Sequence, residues 1–194
     1  MQIIPAILTD NVQELDNLLR QIRDSGKFER VQIDFVDGEY AKNITFKPME
    51  ADLIPYFPLK FDAHLMVTEN NIGEWSKMAE KFGFDRIIAQ VESISHSEDF
   101  ACLAMDFHSP VTVVRPYLPK LDLVVVMSVE PGFGGQEFVA AAKQDVQELV
   151  KLRQEKKYGY RICVDGGIEK QHLSSLENMG VDEVAVGAKR VVSW

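Results

Sequence analysis

The chain has 194 residues, 46% of them hydrophobic and 26% charged, which is ordinary for a soluble globular protein and predicts one domain over residues 1–194. Its formal net charge of −9 argues against nucleic acid or an anionic membrane as the main partner. The two cysteines are too few for a disulfide framework, and we find neither a secretory signal nor an apolar run that could cross a bilayer, so we expect a cytoplasmic protein.

Short apolar runs alternate with amphipathic segments along the whole chain. Strands are predicted at residues 2–8, 30–35, 61–67, 86–91, 110–114, 121–128, 160–164 and 183–186. Helices are predicted at residues 12–25, 72–82, 97–105, 137–156 and 169–179. Asp10 and Asn11 suit the N-cap of the first helix, and Gly26 suits its C-terminal stop.

Eight strands with intervening helices predict an α/β fold, a compact (β/α)8 TIM barrel. Only residues 115–120 separate the fifth and sixth predicted strands, and few residues follow the eighth. We therefore expect the fifth and eighth helices to be shortened or missing. Such gaps would leave apolar barrel surface uncovered, which favours a homo-oligomer.

Three glycine-rich loops follow the last three predicted strands: Pro131–Gly135, Asp165–Gly167 and Gly187–Ala188. Glycines between a strand and a helix leave backbone N–H groups free to converge on an anion, and a helix expected to start near Glu137 would add favourable partial charge. A single loop of this kind is as often a flexible turn, but three in succession predict a phosphate site. The candidate phosphate-binding residues are Gly134, Gly135, Gly166, Gly167, Gly187 and Ala188.

Polar residues stand at strand ends that would face the barrel mouth. Gln32 and Asp34 share one strand face, His64 lies on the third strand, and Asp165 ends the seventh. A single inward aspartate is more often a structural partner of an arginine or a backbone N–H, but two with a histidine favour a metal or acid–base site. Two carboxylates flanking a small substrate suit proton transfer beside a carbonyl, with a divalent metal stabilising the enediolate.

These segments resemble the ribulose-phosphate 3-epimerase family over nearly the whole chain. The matching segments are 32–38, 43–46, 62–67, 127–136 and 164–167, of which 127–136 is the most specific. The resemblance implies a phosphopentulose substrate and a divalent metal such as Zn, Fe, Mn or Co. It also implies that Asp34 and Asp165 are acid–base residues and metal ligands, that His64 is a metal ligand, and that Met66 and Met127 pack around the enediolate.

The chain departs from the family pattern at several positions. Gln32 stands where the family has its first metal-ligand histidine, Ala6 and Ala188 stand in place of serines, Val36 replaces a methionine, and Gln90 replaces a histidine usual on the fourth strand. An amide oxygen of Gln32 can bind a metal, but it favours harder ions than imidazole does. The chain is thus interpreted as a divergent, shortened member of the family.

Two functional hypotheses follow. The first is an enzyme, an epimerase that inverts C3 of ribulose 5-phosphate or a close relative. The second is a non-catalytic sugar-phosphate-binding or assembly homologue with a degraded metal site. Decarboxylase-like chemistry is disfavoured because the segment Asp34–Asp37 lacks a lysine, and a Schiff-base aldolase is disfavoured because Lys60 lies at the wrong end of its strand.

Overall fold

The computed structural model describes residues 1–194, apart from the side chain of Glu98. Eight parallel strands pair in chain order and close into a barrel, which confirms the predicted fold class. The strands are β1 (Gln2–Leu8), β2 (Arg30–Val36), β3 (Lys60–Met66), β4 (Arg86–Gln90), β5 (Cys102–Met105), β6 (Leu123–Met127), β7 (Arg161–Asp165) and β8 (Glu183–Gly187). The α-helices are α1 (Val12–Ser25), α2 (Glu69–Lys81), α3 (Ala142–Lys156), α4 (Lys170–Met179) and α5 (Ala188–Val191).

Several crossovers are shorter than in a standard barrel. In the described chain, 3₁₀ turns replace the α-helix after β2, β4 and β5, and the last helix, α5, has four residues. The expectation that the fifth and eighth helices are shortened or missing is therefore confirmed. None of the helices described here is long and apolar enough to span a membrane.

The fifth strand lies elsewhere than predicted. β5 falls inside the predicted helix at 97–105, and the predicted strand at 110–114 contains the 3₁₀ turn Val111–Val113. Leu, Ala and Met favour helices locally, which misled the prediction. Ala104 instead pairs with Gln90 of β4 and Val125 of β6, so tertiary pairing overrides the local preference.

Helix α1 begins and ends at the predicted capping residues. The Asn11 side chain accepts hydrogen bonds from the backbone N–H groups of Gln13 and Glu14, which have no partner within the helix. Gly26 ends the helix in the left-handed conformation with φ +62°. The helix packs a leucine- and isoleucine-rich face on the barrel, which fixes the position of the β1 loop at the mouth.

The interior of the barrel has three layers. An ion network closes the amino-terminal end, where Arg86 donates to Asp62 at 2.9 Å and to Glu183 at 2.9 and 3.0 Å. Arg30 also contacts Asp62, and Arg161 contacts Glu183. A middle layer is apolar and includes Ile88, Cys102, Ala104, Leu123, Val125 and Cys163. The polar residues of the third layer lie at the carboxyl end of the strands, where chemistry is found in barrels of this kind.

Candidate active site

A cavity of about 520 Å³ opens at the carboxyl end of the barrel. Twelve of the predicted site residues line it: Ala6, Asp34, His64, Met66, Met127, Gly134, Gly135, Asp165, Gly166, Gly167, Gly187 and Ala188. Gln32, the remaining one, lies one layer deeper on β2 and is 1% exposed. The fold therefore brings the predicted polar cluster and the predicted glycine loops to one place.

Three side chains at the base of the cavity form a possible metal site. Asp34, His64 and Asp165 each offer a ligand atom within 4.8 Å of the others. His64 Nδ1 lies 3.3 Å from an Asp34 oxygen and 3.6 Å from an Asp165 oxygen. Two carboxylates and an imidazole suit a divalent transition metal.

Gln32 connects the two carboxylates directly. Its amide nitrogen donates to Asp34 Oδ1 at 2.8 Å and to Asp165 Oδ2 at 2.7 Å, and it lies 3.4 Å from His64 Nδ1. An ionised carboxylate can accept hydrogen bonds but cannot donate them. The NH₂ edge of the amide is therefore the edge that faces the two carboxylates when both are ionised. As oriented, Gln32 therefore presents hydrogens, and its oxygen points elsewhere.

Burial and neighbouring charge shift the pKa values of Asp165 and His64. Burial, together with the charge of Asp34, raises the pKa of Asp165 to about 6, although His64 and the Gln32 hydrogen bond act in the opposite direction. For His64, burial lowers the pKa, but the hydrogen bond and charge of Asp34 and the charge of Asp165 outweigh it and raise the value. Two facing carboxyls, one of them easily protonated, can act as an acid and a base together.

Gln90 contacts the far side of the histidine ring. Its amide nitrogen lies 3.0 Å from His64 Nε2, while its Oε1 is buried without a hydrogen-bond partner among the described residues. The amide can donate to Nε2 only when that nitrogen carries no proton. A neutral ring then has its proton on Nδ1, directed at the carboxylates.

The loops after β6 and β7 pack against each other without space for a side chain. A Cβ on Gly167 would lie 2.2 Å from the backbone nitrogen of Phe138, and Gly167 has φ +61°. Ser128 supports the same loop by donating to the Asp165 and Gly166 carbonyl oxygens at 2.9 and 2.6 Å. Glycine is thus required at Gly167 by both space and backbone conformation.

The helix expected near Glu137 begins later. Helix α3 starts at Ala142, so its N-terminus does not reach Gly134 or Gly135. Gln136 donates to the carbonyl oxygens of Glu130 and Phe133, and these bonds hold the segment as a loop. The short helix α5 instead begins directly after Gly187, at the rim of the cavity.

Two cations stand at the same rim. Lys189 forms an ion pair with Glu14 at 2.6 Å, and Arg190 donates to the Ile168 carbonyl oxygen at 2.8 Å. Both residues line the cavity, and Lys189 is largely exposed. They place positive charge beside the glycine loops while each keeps a partner within the protein.

Some residues of the site carried no recognisable signal in the sequence. The cavity is also lined by Ile7, Leu8, Leu18, Val129, Glu130, Phe133 and Gln136. Their proximity depends on how the loops after β1 and β6 fold back, which periodicity does not report. Asp37 forms an Asx turn in the loop after β2, because its Oδ1 accepts hydrogen bonds from the backbone N–H groups of Glu39 and Tyr40.

The closed barrel, with its cluster of two carboxylates and a histidine and its glycine loops at one mouth, defines an α/β-barrel protein of the kind that carries its chemistry at the strand ends. The chain belongs to the ribulose-phosphate 3-epimerase family, whose sequence model matches residues 2–191. The ribulose-phosphate 3-epimerase of Treponema pallidum is 31% identical, with the match covering 95% of this chain and 88% of that protein. The ribulose-phosphate 3-epimerase of Bacillus subtilis is 28% identical, over 97% of this chain and 91% of that protein.

Solved structures share the architecture at much lower sequence identity. A tryptophan synthase α-subunit from Pyrococcus furiosus superposes with a TM-score of 0.68 at 15% identity, covering 99% of this chain and 88% of that one. Phosphoribosyl anthranilate isomerase from Thermus thermophilus gives 0.62 at 12% identity, covering 100% and 96%. These likenesses support the barrel fold alone.

Proposed function

We propose that the protein inverts C3 of a ketose phosphate, interconverting ribulose 5-phosphate and xylulose 5-phosphate or a close relative. The observation that carries this proposal is the pairing of Asp34 and Asp165 at the base of a cavity rimmed by three glycine loops. Membership of the epimerase family supports the same reaction class.

The proposed reaction is a proton transfer with no net oxidation. One carboxylate removes the C3 proton, and the electron pair moves into an enediolate across C2 and C3. The other carboxyl donates its proton to the opposite face of C3, so the two groups end with exchanged protonation and re-equilibrate with solvent. The raised pKa of Asp165 keeps a protonated partner accessible near neutral pH.

The rest of the cavity binds and orients the substrate in this proposal. The backbone of the loops at Gly134–Gly135, Gly166–Gly167 and Gly187–Ala188 would hold the phosphate. Met66 and Met127 are buried and line the cavity, so they provide an apolar wall beside the reacting carbons. Ala6 lines the same wall without adding a polar group.

Asp34, His64 and Asp165 are the residues that would hold a divalent metal of the Zn, Fe, Mn or Co type. When bound, such an ion would supply positive charge to the enediolate oxygens. Gln32 could join these ligands only through its amide oxygen, which requires the amide to turn over.

The test is solvent deuterium exchange at C3 of ribulose 5-phosphate, followed by NMR, on metal-stripped protein and with Mn, Co, Fe and Zn added singly. Asp34→Asn and Asp165→Asn should each reduce exchange by about 10³-fold or more, since each removes an acid–base group. Asp24→Asn, which changes an exposed carboxylate, is the matched control. Absence of exchange in every condition, with ribulose 5-phosphate and with related ketose phosphates, would refute the proposal.

A non-catalytic relative is the second candidate, and Gln32 in place of a ligand histidine is the observation that favours it. Calorimetry distinguishes the two candidates. Binding of ketose phosphate without exchange at C3 would support a binding protein, and exchange by the wild type would exclude it.

We further propose that the protein is cytoplasmic and self-associates. The two buried free cysteines, Cys102 and Cys163, are compatible with a reducing compartment, and fractionation of cells would test this location. Exposed apolar residues on the segment before β3, Ile54 and Phe57, support self-association.

A further inference from the structure

The carboxamide of Gln32 uses both of its hydrogens on the two candidate acid–base residues. The distances of 2.8 Å to Asp34 and 2.7 Å to Asp165 are those of charge-assisted hydrogen bonds. The side chain is fully enclosed on β2, so little freedom remains for it to move away. Gln32 therefore tethers Asp34 of its own strand to Asp165 of β7, which lies 133 residues from Gln32 in the sequence.

The same amide edge would face a cation shared by these carboxylates. An amide nitrogen donates hydrogen bonds and offers no lone pair to a metal. A cation held by Asp34 Oδ1 and Asp165 Oδ2 would thus meet the hydrogens of Gln32, unless the amide flipped by about 180° and gave up both bonds. As folded, the amide and the cation compete for the same pair of carboxylates.

The contact of Gln90 with the far side of the His64 ring also opposes metal binding. Gln90 directs its nitrogen at His64 Nε2, and this contact holds the ring with Nδ1 facing the carboxylates. A histidine that ligates a metal through Nδ1 needs an acceptor for its Nε2–H, and an amide nitrogen cannot be that acceptor. Gln90 Oε1 is buried without a partner among the described residues, and it would become the acceptor for Nε2–H only if this amide also turned over.

We infer that Gln32 takes over the metal's role as the tether between Asp34 and Asp165, so that proton transfer at C3 does not require a bound metal. The inference rests on the proposed epimerase function. Under it, Gln32 is a positioning residue that competes with a cation, whereas a metal-ligand glutamine would assist the cation. These two roles predict opposite effects on metal affinity when the amide is removed.

The first experiment measures Mn²⁺ and Zn²⁺ affinity by calorimetry on metal-stripped wild type, Gln32→Leu and Gln32→His, with Gln171→Leu on exposed α4 as the matched control. Gln32→Leu should bind either ion at least as tightly as the wild type, because the competing amide is gone. Gln32→His should bind Zn²⁺ at least about 10-fold more tightly, because imidazole adds a ligand. A 10-fold or greater loss of affinity in Gln32→Leu would overturn the inference.

The second experiment follows C3 deuterium exchange after removal of metal, checked by elemental analysis. Stripped wild type should retain exchange within about threefold of the metal-supplemented rate, and Gln32→Leu should lose about 10-fold or more because its carboxylates are untethered. Loss of exchange on stripping, restored by any single metal, would overturn the inference and leave the epimerase proposal standing. Absence of exchange in all conditions would instead refute the epimerase, while the affinity measurements would still decide the role of Gln32. If Gln32→Leu does not fold, the stripped wild type decides.

Discussion

At the scale of single residues, the proposed chemistry depends on polar groups that are buried at the base of the mouth. Asp34, His64 and Asp165 could be predicted because each stands near the end of a strand and on its inward face. The bridge made by Gln32 could not, because it depends on the spacing of β2 and β7 across the barrel. Periodicity reports which way a side chain points, and it carries no information on which amide atom meets which partner.

Asp165→Asn is expected to stabilise the metal-stripped protein at pH 8 but not at pH 4. The folded-state pKa of about 6 lies above the ordinary 3.8, so the native state binds a proton that the unfolded state has already released. The free energy of unfolding of the wild type therefore falls as the pH rises between these two values. Above them it stays about 1–3 kcal/mol lower than at acidic pH. Urea unfolding across this pH range measures the difference between variant and wild type. An equal effect of the substitution at both pH values would contradict the raised pKa.

At the scale of elements, caps and pairing explain which predictions succeeded. Helix α1 was predicted correctly because Asn11 and Gly26 encode its ends locally. Strand β5 was misplaced because its four residues form a strand only between β4 and β6. The segment just before Ala142 was wrongly predicted as helix. It is held as a loop by hydrogen bonds from Gln136 to two carbonyl oxygens, and the sequence pattern does not show the loop shape that these bonds require.

The loops after β6 and β7 give a prediction at this scale. Gly167→Ala should lower the free energy of unfolding by at least about 1–2 kcal/mol, because a left-handed conformation is costly for alanine and the new Cβ meets the Phe138 backbone. Gly134→Ala is the matched control, since its Cβ would have no neighbour closer than 4.0 Å. Chemical denaturation measures both variants. Equal stability of the two would show that the loops do not pack as described.

At the scale of the whole molecule, the chain is short for a barrel because 3₁₀ turns take the place of several helices. The segment between β2 and β3 contains two of these turns, and it leaves Ile54 87% exposed and Phe57 81% exposed. Large apolar side chains at such exposure favour contact with another surface. A second copy of the chain is the partner that we propose for them.

Light scattering during size-exclusion chromatography should give a mass that is a multiple of the 22.0 kDa chain. The double variant Ile54→Asp, Phe57→Asp should shift the mass toward that of one chain, because charged side chains oppose burial of this surface. The variant Val12→Asp changes an exposed apolar residue elsewhere and serves as the control. A wild type that elutes as a single chain would rule out self-association.

The ion network at the amino-terminal end of the barrel bears on the order in which the molecule can be completed during synthesis. Arg86 needs both Asp62 and Glu183, and the ribosome adds Glu183 almost one hundred positions after Arg86. Until β8 emerges, the arginine has only one of its two buried partners, and the sheet has no strand to join β7 to β1. Because an unpaired buried charge is strongly unfavourable, we expect this end of the growing chain to stay open and hydrated. Barrel closure and the pairing of Arg86 with Glu183 therefore both require β8.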